Sequence, residues 1–160
     1  MSGYFTSTKE NPFHLSIGAV VINDDKEILC HHHTEFLGEK YNVWLLMKET
    51  MHPNESTEQT LHRGLLEEFG ARGEIKSFLG SLVSELPRKG VLTQKTTLYF
   101  LVEFLERDKS LRSEEDKKFS VVEWQTKEFL IGKMKQQAEH FDNRSTLDES
   151  EILKRIVSSK

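Results

Sequence analysis

Between Glu49 and Ala71 the chain reads ETMHPNESTEQTLHRGLLEEFGA, a loop running into one helix with both ends marked. Ser56 followed by Gln59 is a capping-box start: the hydroxyl serves free backbone N–H groups and the amide reaches back. Gly70 marks the stop, because the residue just past a helix often takes positive φ. Leu61, Leu65 and Phe69 recur every four residues and predict a buried stripe. At about 100° per residue, Gly64, Glu67, Glu68 and Ala71 share a neighbouring face. Glu67 and Glu68 then sit in the last turn, at the negative end of the helix dipole, where an exposed carboxylate costs roughly 0.3–1 kcal/mol. Two adjacent acids there ask for a cation. On a plain solvated face Arg63, four residues before Glu67, supplies it, for a few tenths of a kcal/mol. In a functional site a metal ion supplies it.

The spacing resembles the Nudix box, the signature of the Nudix hydrolase family. That box runs Gly, five residues, Glu, seven residues, Arg-Glu, an aliphatic, one residue, Glu-Glu, one residue, Gly, an aliphatic. Glu55, Arg63, Leu65, Glu67, Glu68 and Gly70 fall on register, with Ala71 as a small apolar residue at the last place. The run Trp44-Leu45-Leu46-Met47-Lys48 sits where the family has an aromatic, an aliphatic and Pro-Lys-Gly. The departures are equally specific. Glu49 stands at the first Gly of the box, Met47 at the preceding Pro, and Asn54 at the Gly before the first Glu. Gly64 stands at the Glu that follows the box Arg, a residue that binds divalent metal or acts as base in the family.

The resemblance implies an α/β fold: a Nudix-type α/β/α sandwich with a mixed β-sheet, one domain over residues 1–160. It implies a divalent-metal-dependent pyrophosphohydrolase that cleaves a nucleoside diphosphate linked to another moiety, with Mg²⁺ or Mn²⁺ as cofactor. Glu67 and Glu68 are the expected metal ligands. Arg63 is expected to orient them, and Glu55 to do similar work or help bind metal. Glu49 is the first candidate for the missing acid. The family also brings an acid from a loop before a strand ending in Trp, and Glu114, Glu115 and Asp116 compete for that place. A Glu at position 64 would be expected to reach the same cation. The alternative function is a Nudix-fold binding module that recognises a nucleotide-like ligand or a protein without turnover.

Lys48, at a strand end beside the box, is a candidate phosphate contact, since an ammonium binds phosphate as a point charge. Trp44 is either core or part of a nucleobase site. His31-His32-His33 invites a metal reading, but on a strand His31 and His33 point one way and His32 the other. Two ligands with no third at known spacing favour a partly exposed strand end.

A net charge of −4 argues against a sequence-independent grip on a nucleic-acid polymer, which wants a basic surface. Cys30 is the sole cysteine, so no disulfide forms within the chain, in keeping with a reducing compartment. No apolar run near 18 residues suggests a membrane span, and the start lacks a hydrophobic signal core, so a cytoplasmic protein is expected. The motifs do not encode the oligomeric state, and a dimer is compatible with them.

Along the chain, residues 1–12 read as a polar lead-in. Strands are expected over 14–22, 27–33, 42–48, 74–85, 91–105 and 119–124, with Gly73 breaking the chain and a turn at Pro87-Arg88-Lys89-Gly90. The 91–105 strand is apolar on both faces and reads as central. Residues 106–118 read as a charged loop and 126–140 as a helix with Phe129, Leu130, Ile131 and Met134 inward. A last helix is expected behind an Asp148/Glu151 capping box, its apolar face made by Ile152, Leu153, Ile156 and Val157.

Overall fold

Strand β1, Phe13–Ile22, sends Ile17, Ala19 and Val21 to one side and Val20 to the other, all fully buried. Two-sided burial of this kind belongs to a sheet covered on both faces. The computed structural model describes residues 6–88, 90–142 and 144–157. Residues 1–5 of the lead-in and Lys89 of the expected turn lie outside the described residues.

After β1 come β2 (Glu27–His33), β3 (Val43–Leu45), β4 (Met47–Thr50), β5 (Ala71–Arg88), β6 (Val91–Arg107) and β7 (Val121–Thr126). The helices are α1 (Thr57–Gly64), α2 (Glu114–Phe119), α3 (Lys127–His140) and α4 (Ser150–Leu153). The sheet runs β3-β2-β1-β6-β5, with β4 on β1 and β7 on β2. Among the described residues only β1 and β6 pair in parallel, so the sheet is mixed, and β6 is a central strand as its two apolar faces predict. Leu61, Leu65 and Phe69 cover one face beside Ile17, Ala19 and Val21. Leu130, Met134, Ile152 and Leu153 cover the other beside Val20, Ile28 and Cys30. The α/β/α sandwich is present.

Several expectations need correcting. The single strand over 42–48 is two: β3 pairs with β2 and β4 with β1, and between them the Leu46 amide donates instead to Glu149 Oε1 at 2.9 Å. Gly73 does not end a segment; it sits at a register shift inside β5, where a bulge absorbs the extra residue. The charged 106–118 loop contains the end of β6, a 3₁₀ turn and α2, which Ser113 caps by accepting from the Asp116 amide at 3.1 Å. The Asp148/Glu151 capping box does not form. Asp148 accepts from the Ser150 amide at 3.0 Å, Glu151 pairs with Lys154, and α4 is four residues long. Val157 is 86% exposed rather than part of an apolar face.

The Ser56/Gln59 capping box does form: the Gln59 amide donates to Ser56 Oγ at 3.1 Å and the Ser56 amide to Gln59 Oε1 at 2.8 Å. Ser56→Ala is expected to cost about 1 kcal/mol, measured as a lower urea midpoint with an unchanged slope. At the other end the helix widens. Leu65–Phe69 is a π-helical turn, and Gly70 closes it at φ +66° with its N–H to Leu65 O and Leu66 O. Such turns are frequent at functional sites. Among the described residues no helix is long and apolar enough to cross a membrane.

Candidate active site

The box residues meet around the Arg63 guanidinium. Arg63 Nε donates to Glu55 Oε2 at 2.8 Å and Nη2 to Glu55 Oε1 at 2.9 Å, while Nη2 also reaches Thr50 O at 2.7 Å. Glu55 Oε1 accepts further from the His52 amide at 2.9 Å and the Thr60 hydroxyl at 3.2 Å. With both oxygens engaged, the Glu55 carboxyl is held down at about 2, chiefly by the Arg63 hydrogen bonds. Glu55 is therefore an anchor for Arg63. The remaining nitrogen, Nη1, lies 3.2 Å from Glu49 Oε1 and 3.5 Å from Glu67 Oε2. Of the two carboxylates it was expected to orient, Arg63 reaches Glu67 and not Glu68; its other contact through Nη1 is Glu49.

Glu67 and Glu68 do not share an environment. Neighbours on a helix point about 100° apart, and here Glu67 stays 46% exposed at its side chain while Glu68 is nine-tenths buried. The helix C-terminus itself is answered by arginines and amides. Arg112 Nε donates to Glu68 O at 2.5 Å, Arg107 Nε to Phe69 O at 3.0 Å, Ser113 N to Glu67 O at 2.8 Å and Asp108 N to Gly70 O at 2.8 Å. These bonds satisfy carbonyls that a helix end otherwise leaves open.

The Glu68 carboxylate is not answered in the same way. Its Oε1 meets His31 Nε2 at 2.8 Å, and its Oε2 is buried without a hydrogen bond of ordinary geometry, with the Lys48 backbone N–H helping to steady the carboxylate. Burial lowers the His31 ring to about 3, helped by the Lys48 and Arg112 charges, so the imidazole is neutral near pH 7 and has one N–H. Arg112 Nη2 donates to Ser120 Oγ at 3.1 Å, and Ser120 Oγ lies 2.6 Å from His31 Nδ1. In the consistent arrangement the Ser120 hydroxyl donates a hydrogen bond to Nδ1, and Nε2–H donates to Glu68 Oε1. Burial raises the Glu68 carboxyl to about 8 while the Lys48 charge pulls it back. Glu49, between burial and the Glu68 charge, rises to about 7 in spite of Arg63.

Glu68 lines a 210 Å³ cavity together with His31, Lys48, Lys95, Asp116 and Ser120. Lys48 and Lys95 also line an adjoining 510 Å³ cavity walled by Leu82, Thr97, Tyr99 and Glu149. Lys48 Nζ donates to Glu149 Oε2 at 2.9 Å and Leu46 O at 3.2 Å, which fixes its charge where the two cavities join. Glu149 is fully buried and also accepts from the Tyr99 hydroxyl at 2.5 Å.

Of the loop acids, Asp116 reaches the Glu68 cavity, on α2 rather than a loop. Glu114 turns out to Lys117 at 2.9 Å, and Glu115 is exposed. Trp44 lies away from Lys48's cavities. Its ring stacks on His32 at 4.5 Å and meets Phe129 edge-on at 5.1 Å, and its Nε1 donates to Glu123 Oε2 at 3.3 Å. That is the core alternative for Trp44. Gly64 also departs from expectation. A Cβ there would lie 2.7 Å from Glu49 Cβ and 2.9 Å from Met47 Sδ, so a Glu could not be added without moving β4.

His31, Arg112, Ser120, Glu149 and Tyr99 were not singled out as site residues in the sequence. Only His31 left a signal, in the His triplet, and its use is to hold a carboxylate. Among the described residues no three His, Cys, Asp or Glu side chains already form a closed ligand set. The fit to a divalent cation rests instead on an orphaned, buried carboxylate oxygen beside a second acid. Hard oxygen donors of this kind suit Mg²⁺ or Mn²⁺.

The fold matches solved structures of low sequence identity. The MutT protein from Methanosarcina mazei Go1 aligns with TM-score 0.61 at 21% identity, over 84% of this chain and 96% of that one. A NUDIX hydrolase from Nitrosomonas europaea aligns with TM-score 0.58 at 16% identity, over 81% and 90%. The E. coli ORF135 protein aligns with TM-score 0.58 at 18% identity, over 80% and 84%. A comparison with curated proteins gives no match. The NUDIX domain family model matches residues 12–147, most of the chain and all of the box, and on that ground the chain belongs to the Nudix family.

Proposed function

We propose that this protein is a divalent-cation-dependent hydrolase that cleaves a diphosphate linked to another moiety. The observation that carries this reading is Glu68 Oε2, a buried carboxylate oxygen without a hydrogen bond of ordinary geometry in the wall of a cavity. A bare buried charge is costly, and a cation is the partner that makes both the oxygen and an incoming diphosphate tolerable. When bound, Mg²⁺ or Mn²⁺ supplies Lewis acidity toward the diphosphate oxygens. Glu68 and Glu67 would hold it. Glu55 anchors Arg63, and Arg63 sets the angle of Glu67. His31 fixes Glu68 Oε1, so that Oε2 is the oxygen offered. Lys48, held by Glu149, presents a positive charge to phosphate at the junction of the cavities, and the larger cavity has room for the linked group.

The test is a panel of nucleoside diphosphate derivatives incubated with Mg²⁺ or Mn²⁺, followed by phosphate release and thermal shift together. Turnover that EDTA abolishes is the expected result. Stabilisation by a ligand with no turnover under any metal would contradict a hydrolase and favour the binding module.

A further inference from the structure

Two departures from the box are each other's residue. The box has Gly where this chain has Glu49, and Glu where it has Gly64. The two positions also face one another. A Cβ built on Gly64 would sit 2.7 Å from Glu49 Cβ, closer than two carbons can pack. Met47 Sδ, 2.9 Å away, closes the same space from β4. As the backbones stand, a side chain on position 64 meets Glu49 first, and the Met47 side chain must also give way.

We propose that this chain has exchanged an acid and a glycine across its site, so that Glu49 on β4 takes the cation-holding place the box gives to the helix position now held by Gly64. This rests on the reading of the protein as a cation-dependent hydrolase. Glu49 is half-buried, with Oε1 3.2 Å from Arg63 Nη1, the nitrogen that also approaches Glu67. Arg63 does not need Glu49 to be satisfied, since Glu55 takes it in a two-bond fork and Thr50 O takes a third. A third acid brought toward two others, one of which ends in an orphaned and buried oxygen, makes sense if a cation joins them. The exchange keeps the number of acids and moves one from helix to strand.

The experiment titrates Mn²⁺ calorimetrically into metal-free protein and records metal-free melting for wild type, E49Q, E68Q, G64E and the double exchange E49G/G64E. E49Q keeps the shape of Glu49 and is expected to melt as a folded protein while binding Mn²⁺ at least about tenfold more weakly. G64E alone should melt lower, because its Cβ meets Glu49. The double exchange should recover that melting temperature and bind Mn²⁺ within about threefold of wild type, a coupling that two independent sites would not show. Wild-type Mn²⁺ affinity in E49Q would overturn the proposal. So would a folded double exchange that binds as weakly as E49Q. If E49Q is unaffected while E68Q loses binding, the hydrolase reading stands and the exchange is wrong. If wild type binds no Mn²⁺, both fall. Should the double exchange fail to fold, E49Q against E68Q still decides.

Discussion

Glu68→Gln is expected to lower metal-dependent turnover by about 10²–10⁴-fold and, at the same time, to stabilise the metal-free protein above pH 8. The loss follows from the role of Oε2: an amide there has no charge to hold a divalent cation. The magnitude is that of one positioned group acting in the rate-determining step. The gain in stability follows from burial. The Glu68 carboxyl rises from its ordinary 4.5 to about 8 in the folded chain, so the folded state holds the proton more tightly than the unfolded state. That contribution is fully present below pH 4.5 and is lost as pH rises through 8. At pH 9 the wild type carries a buried charge that E68Q does not, on the order of a few kcal/mol. His31, lowered to about 3, titrates in the opposite sense but only below its unfolded value of 6.5, so it leaves the pH 7–9 window clear. Urea melts of both proteins at pH 6 and pH 9 check the sign, since the wild type should lose more stability than E68Q over that interval. A cation also competes with the Glu68 proton, so Mn²⁺ binding near pH 7 should release protons, seen as a buffer-dependent heat. A variant as active as wild type would remove Glu68 from the site.

Arg112→Ala is expected to destabilise the fold by about 3–5 kcal/mol, one of the larger effects available to a single substitution. Arg112 is nearly fully buried and donates to Glu68 O, Asp116 O, Ser120 O and Ser120 Oγ. One guanidinium therefore joins the π turn, α2 and the approach to β7. Its removal leaves buried carbonyls without donors, each worth roughly 1–3 kcal/mol. Arg112→Lys should recover only part of this, because an ammonium cannot reproduce the planar fork. The same change frees Ser120, which orients His31, and so loosens Glu68. The urea midpoint gives the stability, and turnover measured well below the transition shows the effect on Glu68. A urea midpoint unchanged from wild type would contradict the account of Arg112.

The fold was largely legible because its signals are local. The cap at Ser56, the Leu61/Leu65/Phe69 stripe and the stop at Gly70 each act within a few residues, and each appears where expected. The two-sided apolar pattern of β6 likewise placed it in the middle of the sheet. What was not legible comes from distant pairings. Glu149 stands over a hundred positions from the Leu46 amide it accepts from, and it splits an expected strand in two. Arg112 and Ser120 serve Glu68 from α2's two flanks, and no spacing rule connects them. Glu67 and Glu68 differ because adjacent helix positions point about 100° apart, so one carboxylate turns into the core while the other stays at the surface. Position 64 misled for a related reason. The strand opposite it is packed too close for a side chain, which no helical spacing shows.

The central claim is that Glu68 Oε2 is held ready for a divalent cation. Crystals soaked in Mn²⁺ and measured for anomalous scattering test it most directly. The account predicts a peak within roughly 2.5 Å of Glu68 Oε2 that disappears in E68Q. Mn²⁺ bound elsewhere on the protein, with Glu68 Oε2 still without a partner, would contradict it.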